Sequence, residues 1–407
     1  MRGASAICRL SKLRPHLHPF KPQLATSSPI FSSYYVLPLS ATSSLSDVSS
    51  KKMLNLKVSV IGSGNWGSAI AKIVAENAAE NRDMFETDVR MWVFEELVAG
   101  QKLTEIINTQ HENVKYLPGI KLPSNVVAVP DLLDAVKDAN LLVFNVPHQF
   151  LPRICSQLKG KVPSTVRAVS CIKGVEVSGD GITIIADYIS QELGIYCGAL
   201  SGANLAPEVA QEKFSETTVA YKVPDPSDSI DARVVRTLFH RPYFHVHVVD
   251  DVAGVSLCGA LKNIVALASG FVDGMAWGDN AKAAIIRRGL LEMTKFGREF
   301  FPECNASTFT EESCGVADVI TSCSGGRNNK LGAAMMKTRR PIFELEEELL
   351  KGQKAQGVTT AQEVHEFLER RGKLEDFPLF TAVHDIIFNG LDSYALPQIL
   401  EDVEQKY

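Results

Sequence analysis

The sequence predicts an α/β protein whose first half is a parallel, doubly wound sheet and whose second half is entirely helical. Short apolar runs alternate with helical patterns up to residue 249, a glycine-rich turn follows the first run, and no strand pattern recurs later. The 407 residues, 45% hydrophobic and 22% charged, are enough for two or three globular domains and exclude wholesale disorder.

The N-terminal segment differs in composition from the rest of the chain. Residues 1–46 contain five basic residues, ten serines and no acidic residue. A basic, serine-rich segment without acids is typical of an organelle transit peptide, although a disordered tail without an address has the same composition. We therefore assign residues 1–50 to a transit peptide or disordered leader. High serine content with few arginines favours the plastid (chloroplast) stroma, and the cytosol or a mitochondrion is the alternative.

Charge and cysteine usage exclude several classes of function. Without the five basic residues of the leader, 37 basic residues face 47 acidic ones, a net charge of −10, which disfavours nucleic-acid binding. The eight cysteines form no C-x-x-C pair, so they predict buried free thiols and no metal site. No apolar run approaches the roughly 18–20 residues that span a bilayer. We therefore expect no metal, no nucleic acid and no membrane span.

The strands and helices follow from periodicity. Seven apolar runs predict strands at 56–61, 89–94, 126–129, 141–146, 167–172, 196–200 and 244–249. Helical spacing predicts a helix at 68–79 and then helices at 251–270, 280–300, 310–323, 328–338, 343–351, 359–371 and 378–390. The predicted domains are a nucleotide-binding domain at 51–249 and a helical substrate-binding and catalytic domain at 250–407.

The glycine-rich turn has the pattern of a dinucleotide-binding loop. Gly62-Ser63-Gly64-Asn65-Trp66-Gly67 lies between a predicted strand and a predicted helix, which is the context that this fingerprint requires, although a tight structural turn shares the spacing. The second strand ends Phe94-Glu95-Glu96, with no Arg or Lys to hold a 2′-phosphate. The sequence therefore favours NAD over NADP.

Polar residues within apolar surroundings are the candidates for chemistry. Lys173 follows a buried strand, where ligands of such sheets bind. Lys262 lies in a helix that is otherwise apolar except for Asn263, and partial burial would lower its pKa into the range of a general acid/base, although a lysine reaching the surface is the alternative. Asp318 lies in another apolar stretch and could orient Lys262 or merely cap a helix.

Two further segments could hold anionic groups. Gly325-Gly326-Arg327-Asn328 combines a guanidinium and an amide after two glycines, a plausible phosphate clamp. The stretch Lys351–Gly357 is bracketed by glycines and could be a mobile loop that closes over a cofactor, or a polar turn between helices.

Several long motifs, in this order, resemble those of NAD-dependent sn-glycerol-3-phosphate dehydrogenases. Besides the glycine-rich loop they are Ile107–Gly119, Val146–Phe150, Ile172–Gly174, Gly259–Asn263 and Gly325–Asn328. The resemblance covers about residues 54–395. Within the family, the chain looks more narrowly like the eukaryotic, animal-type enzyme, here preceded by a transit-like extension.

The resemblance implies a Rossmann-like first domain, reversible reduction of dihydroxyacetone phosphate to sn-glycerol 3-phosphate with NADH, and a homodimer. It also implies a link between glycolysis, glycerolipid synthesis and the NADH/NAD balance. The implied catalytic residues are Lys262, Lys173 and Asp318. The implied substrate contacts are Lys173, Asn263, Ser322, Arg327 and Asn328. The implied cofactor contacts are Gly62, Ser63, Gly64, Asn65, Trp66, Gly67, Phe94, Phe150, Lys173, Ala206, Arg327, Lys354 and Gln356.

Two alternatives to this function come from different classes. One is a dehydrogenase with a similar two-part architecture, such as a hydroxyacyl-CoA or sugar-acid enzyme. The other is a non-catalytic NADH sensor, against which the set of Lys173, Lys262, Asp318 and Arg327 argues, because a sensor needs no acid/base lysine.

Overall fold

The computed structural model describes residues 54–179, 181–223, 225–350 and 355–404. The predicted leader lies outside these residues. The chain from Lys52 to Tyr407 forms one compact unit. The proposed division at residue 250 therefore stays a prediction, although the last strand ends at Val249 and the helical part begins at Val252.

Twelve strands and sixteen α-helices make up the described chain. The strands are β1 Val58–Ile61, β2 Val89–Trp92, β3 Leu97–Val98, β4 Gln101–Lys102, β5 Val126–Val129, β6 Leu141–Phe144, β7 Arg167–Ser170, β8 Val175–Ser178, β9 Gly181–Ile184, β10 Tyr196–Ser201, β11 Ser215–Ala220 and β12 Phe244–Val249. The helices of the first half are α1 Asn65–Glu80, α2 Leu103–Gln110, α3 Leu132–Val136, α4 Leu151–Leu158, α5 Ile185–Leu193, α6 Ala206–Ala210 and α7 Ala232–Phe239. Those of the second half are α8 Val252–Gly274, α9 Asp279–Phe300, α10 Ala306–Glu311, α11 Asp318–Cys323, α12 Arg327–Thr338, α13 Ile342–Leu350, α14 Gln356–Arg370, α15 Pro378–Phe388 and α16 Leu396–Glu404.

The central sheet confirms the predicted fold class. Its order is β12-β11-β10-β7-β6-β1-β2-β5, and the six strands from β10 to β5 are parallel. Counted along the chain, those six have the order 3-2-1-4-5-6 of dinucleotide-binding sheets. Strands β1 and β6 are buried at every position, which explains their unbroken apolar sequences. The loop after β1 therefore lies where the strand order reverses, at the carboxyl edge of the sheet.

All seven predicted strands lie in this mainly parallel sheet, but the eighth strand, β11, was not predicted. Strand β11 runs antiparallel to β10, and β12 runs parallel to β11. The sequence of β11 is polar, yet its residues Thr217 and Thr218 are buried. The Thr217 hydroxyl donates to the carbonyl oxygen of Ser201 at 3.1 Å, so the strand buries polar groups without leaving them unpaired.

Helix α8 is the centre of the helical half. It packs against α9, α11, α12 and α14 and also against β10 of the sheet. By length and composition it could cross a membrane, but 94% of its apolar window is buried inside the protein, which identifies it as a core helix. The Asp251 carboxylate caps its first turn by accepting from the Gly254 amide at 2.7 Å.

Helices α8 and α12 approach each other through glycines. A Cβ atom on Gly270 would lie 2.2 Å from the Asn329 carbonyl oxygen, and one on Gly332 would lie 2.6 Å from the Leu267 carbonyl oxygen. Both obstacles are backbone atoms, which no rotamer change can move. The close contact therefore fixes α12, which carries Arg327 and Asn328, against the middle of α8.

The cysteines of the described chain are free thiols, as predicted. Six are buried, and Cys304 is partly buried. Burial raises the pKa of Cys155 and of Cys171 to about 12. Cys8 lies outside the described residues.

Replacing Gly270 by alanine should destabilise the protein. Overpacking against the α12 backbone should lower the free energy of unfolding by about 1–3 kcal/mol, which outweighs the gain of about 1 kcal/mol in helix propensity. Urea unfolding measures the difference. Gly181→Ala is the matched control, because its Cβ atom would meet the Ser178 carbonyl oxygen at an ordinary 3.4 Å. Equal stability of both variants would contradict the close helix packing.

Candidate active site

Two lysines and one aspartate from distant parts of the chain meet between the sheet and the helical half. Lys173 follows β7, Lys262 lies in the middle of α8, and Asp318 begins α11. The Asp318 carboxylate accepts from the Lys262 ammonium at 2.5 Å and from the Lys173 ammonium at 2.8 Å, one on each oxygen. Lys262 also donates to the Ser322 hydroxyl at 2.7 Å. The structure therefore brings all three predicted catalytic residues together.

Burial controls the charge states in this cluster. Lys262 and Asp318 are 6% and 2% exposed. Burial lowers the pKa of Lys262 to about 7, an effect that Asp318 opposes and Lys173 reinforces. Burial alone would raise the pKa of Asp318, but the two ammonium groups outweigh it and hold that pKa below its usual range. Lys262 is thus poised to exchange a proton near neutral pH, while its partner stays ionised.

A break in the predicted helix 310–323 positions Asp318. The chain forms α10, then a π-helical turn at Ser313–Ala317, then α11. Gly315 has the non-helical angles φ −87° and ψ −107°, and a Cβ atom there would lie 2.3 Å from the Phe309 carbonyl oxygen. Only glycine fits this contact, and the break directs the start of α11 toward Lys262. π-Bulges are frequent at functional sites.

The predicted phosphate clamp lies at the N-terminus of α12. Gly325 adopts φ +138°, and Gly326 precedes the first turn. The Asn328 amide donates to Asn263 Oδ1 at 2.9 Å, and Asn328 Oδ1 accepts from the Gly357 amide at 3.0 Å. This network joins α8, α12 and the start of α14.

Arg327 is the first residue of α12. Its side chain is exposed to solvent. The protein atoms around the guanidinium still remove part of its hydration, which lowers the pKa of Arg327 below the usual value of an arginine. A helix N-terminus with an adjoining guanidinium attracts anions.

The glycine-rich loop has the space that a dinucleotide needs. Gly62 adopts φ +112°, and a Cβ atom on Gly67 would lie 2.1 Å from the Gly62 carbonyl oxygen, so both positions require glycine. A Cβ atom on Gly64 would meet nothing within 4 Å, which leaves that backbone open to a ligand. The loop and the N-terminus of α1 therefore fit a pyrophosphate.

The rest of the loop is fixed from behind. The Ser63 carbonyl oxygen accepts from the Asn113 amide at 2.8 Å, which ties the loop to the 107–119 motif. Asn65 begins α1, and the Trp66 ring lies 6.2 Å from the Phe244 ring.

Two exposed aromatic side chains lie beyond the carboxyl ends of the strands. Phe94 is 65% exposed and Phe150 is 51% exposed, which is unusual for phenylalanine and provides surfaces for stacking against a flat ligand. Ala206 begins α6 and Gln356 begins α14. Lys354 and most of the predicted mobile loop lie outside the described residues.

The fold brings a lysine from elsewhere in the sequence to the end of β2. Lys115, twenty-one residues after Phe94, contacts the Glu96 carboxylate, which also accepts from the Tyr116 hydroxyl at 2.6 Å. The carboxylate neutralises this lysine, so its charge is not free for a 2′-phosphate. The residues next to the strand end in the sequence do not reveal this pair, because Lys115 reaches Glu96 only through the fold.

The fold also brings two histidines and a carboxylate together. Ligand atoms of His365, His384 and Asp385 lie within 4.8 Å of one another. The two imidazoles stack, with centroids 3.5 Å apart and planes 14° apart. In-plane lone pairs of stacked rings run parallel and do not converge on one ion. The two histidines therefore form a stacked pair of rings. That the protein binds no metal ion stays a prediction.

Both halves of the chain match a known protein family. The N-terminal and C-terminal regions that define NAD-dependent glycerol-3-phosphate dehydrogenases match residues 57–226 and 251–398. The glycerol-3-phosphate dehydrogenase [NAD(+)] of Pichia angusta is 58% identical over 352 residues, which are 86% of this chain and 92% of that one.

Solved structures give the same result. The Saccharomyces cerevisiae glycerol-3-phosphate dehydrogenase is 59% identical with a TM-score of 0.82, and the match covers 85% of this chain and 99% of that one. The enzyme of Dunaliella salina is 42% identical with a TM-score of 0.80, over 85% of this chain and 60% of that one. The chain therefore belongs to the NAD-dependent glycerol-3-phosphate dehydrogenases, oxidoreductases that act on a CH–OH group with NAD as cofactor.

Proposed function

We propose that Lys262 is the general acid/base of a reversible reaction between dihydroxyacetone phosphate and sn-glycerol 3-phosphate. The observation that carries this role is the buried contact of Lys262 with Asp318 and Lys173 at the carboxyl edge of the sheet. Bound NADH supplies the hydride, and NAD accepts it in the reverse direction. The Lys262 ammonium donates its proton to the C2 oxygen during reduction and recovers it during oxidation.

The neighbouring residues keep Lys262 in the right state. Asp318 holds the Lys262 ammonium in place and also binds the Lys173 ammonium. Lys173 contributes a second positive charge near the C2 oxygen of the substrate, which becomes negative during reduction. Ser322 accepts one hydrogen bond from Lys262 and so restricts its orientation. Lys262 and Asp318 are buried, so their charges act more strongly there than in solution.

Arg327, Asn328 and Asn263 are the proposed substrate-phosphate and substrate contacts. The Arg327 guanidinium offers two parallel donors to phosphate oxygens. The bond between Asn328 and Asn263 fixes both amides, so the phosphate site and Lys262, one residue before Asn263, are positioned by the same helix.

The proposed cofactor contacts are the glycine-rich loop, Phe94, Phe150, Lys173, Ala206, Arg327, Lys354 and Gln356. The division into a cofactor domain at 51–249 and a substrate domain at 250–407 is part of this proposal. The proposed function also includes a role in supplying sn-glycerol 3-phosphate for glycerolipid synthesis.

We propose a homodimer from the family resemblance. A monomer mass in analytical ultracentrifugation would exclude the homodimer.

The decisive experiment follows NADH absorbance with dihydroxyacetone phosphate. We expect oxidation of NADH but little of NADPH, and a loss in Lys262→Ala of roughly a thousandfold in turnover because the proton donor is removed. NADH affinity should be almost unchanged in that variant. Lys159→Ala, which removes an exposed lysine of the first half paired with Glu192, should behave as wild type.

The pH profile is a second readout of the same role. Reduction needs the ammonium form of Lys262, so its rate should fall as pH rises through about 7, while the rate of oxidation should rise. Normal turnover in Lys262→Ala would refute the assignment. NADH binding by the wild-type protein without turnover would favour the sensor alternative.

The phosphate site is tested with Arg327→Ala. Loss of a charged hydrogen bond worth about 1.5–3 kcal/mol should raise the KM for dihydroxyacetone phosphate roughly 10- to 100-fold. Reduction of unphosphorylated dihydroxyacetone should change little. Lys330→Ala removes a cation one turn farther along α12 and is the control. An equal loss with both substrates would show that Arg327 does not recognise the phosphate.

We also propose that the leader directs the chain to plastids, on the basis of its acid-free, serine-rich composition. Residues 1–50 fused to a fluorescent protein should colocalise with chlorophyll in plant cells. Leader-free fluorescent protein is the control, and a cytosolic or mitochondrial signal from the fusion would overturn the plastid assignment.

A further inference from the structure

A buried carboxyl group on α14 has no role in the mechanism above. Glu363 Oε2 is buried and has no hydrogen-bond partner among the described residues, and the same holds for the hydroxyl of Thr360 one turn earlier. Gln356, Thr360 and Glu363 are spaced by four and three residues, so they lie along one face of the helix. This face carries a proposed cofactor contact at its start and an unsatisfied acid two turns later.

Strand β8 packs against α14 and brings a second carboxylate close to the first. Burial, and then the negative charges of Glu176 on β8 and Glu366 on α14, raise the pKa of Glu363 to about 8. Glu176 also contacts the ring of His148, with Glu176 Oε2 and His148 Nε2 3.0 Å apart. An uncharged Glu363 tolerates this position, whereas a charged one would lie near the charge of Glu176 with one oxygen buried and without a hydrogen-bond partner.

Several other charged groups on or beside α14 lie close to a partner of opposite charge. Glu366 lies 3.8 Å from Arg370 on the same helix. On the α15 side, Asp385 lies 3.7 Å from His365. On the α8 side, Lys262 is held by Asp318.

The Glu363 region is connected to the proposed cofactor site through His148. A Cβ atom on Gly174 would lie 3.2 Å from His148 Nδ1 and 3.6 Å from Gln356 Nε2, so the chain at Gly174 passes between these two side chains. His148 is two residues before Phe150, and Gly174 follows Lys173. Three segments proposed to contact the cofactor thus meet beside the acid pair of Glu176 and Glu363.

We propose that Glu363 is a positioning residue for cofactor binding, whose protonated form lets α14 lie against Glu176 and His148 and so holds Gln356 in place. Loss of the proton puts two carboxylates face to face, and their repulsion opens the contact between α14 and β8. NADH then binds more weakly, while the proton transfer at Lys262 is unaffected. This inference rests on the cofactor site proposed above.

The test is the dissociation constant of NADH as a function of pH, measured on the full chain by NADH fluorescence between pH 6 and 9.5. In the wild type we expect the constant to rise about five- to tenfold as Glu363 ionises. In Glu363→Gln it should stay flat, because the amide has the shape of the protonated acid and carries no charge at any pH.

Glu369→Gln is the matched control, since it removes an exposed carboxylate of the same helix whose charge does not act on Glu363. It should keep the wild-type slope. If Glu363→Gln does not fold, Glu176→Gln serves instead, because it removes the opposing charge and should also flatten the profile.

A flat profile in the wild type, or the same slope in wild type and Glu363→Gln, would overturn this inference alone. A wild-type protein that bound no NADH at any pH would overturn the proposed cofactor site and the inference together.

Discussion

The buried ion cluster of Lys262, Asp318 and Lys173 is the constraint on which the rest of the structure depends. An isolated ammonium inside α8 would be too costly to keep charged, so a carboxylate must come within hydrogen-bonding distance. That requirement fixes the start of α11 against α8 and draws the edge of the sheet to the same point through Lys173. Two cations against one anion leave the cluster positive, with Arg327 nearby, so the electrostatics that hold the two halves together also suit a doubly charged phosphate ester.

Close backbone approaches give this cluster its precision. Glycines at 270 and 332 bring α12 onto α8, and Gly315 breaks the chain so that Asp318 points inward. The polar groups therefore lie on helices whose separation is set by backbone contact and not by compressible side chains. Asn263 and Asn328 complete the arrangement with a bond between neighbouring helices. Positioning of this kind suits a reaction in which small displacements of the reacting atoms are costly.

Much of this could be predicted from sequence because the signals were local. Fully buried strands have unbroken apolar sequences, the loop at Gly62–Gly67 has its spacing, and Lys262 is conspicuous in an apolar helix. Strand β11 was missed because its buried threonines look polar until their partners are known. The pairing of Lys115 with Glu96, and the packing of α14 on β8, join residues far apart in the chain. No spacing rule contains such contacts, since the fold alone creates them. The same limit applies to the break at Gly315, whose cause is the carbonyl oxygen of Phe309.

The buried thiols have a consequence for the protein in its surroundings. The reactive species of a cysteine is its thiolate, and burial disfavours that form for Cys155 and Cys171. Peroxides, glutathione and alkylating agents would therefore react slowly with these side chains while the protein is folded. Burial thus protects these two thiols only for as long as the core stays closed. In the unfolded chain the same thiols are exposed to solvent, so their reactivity reports whether the core has formed.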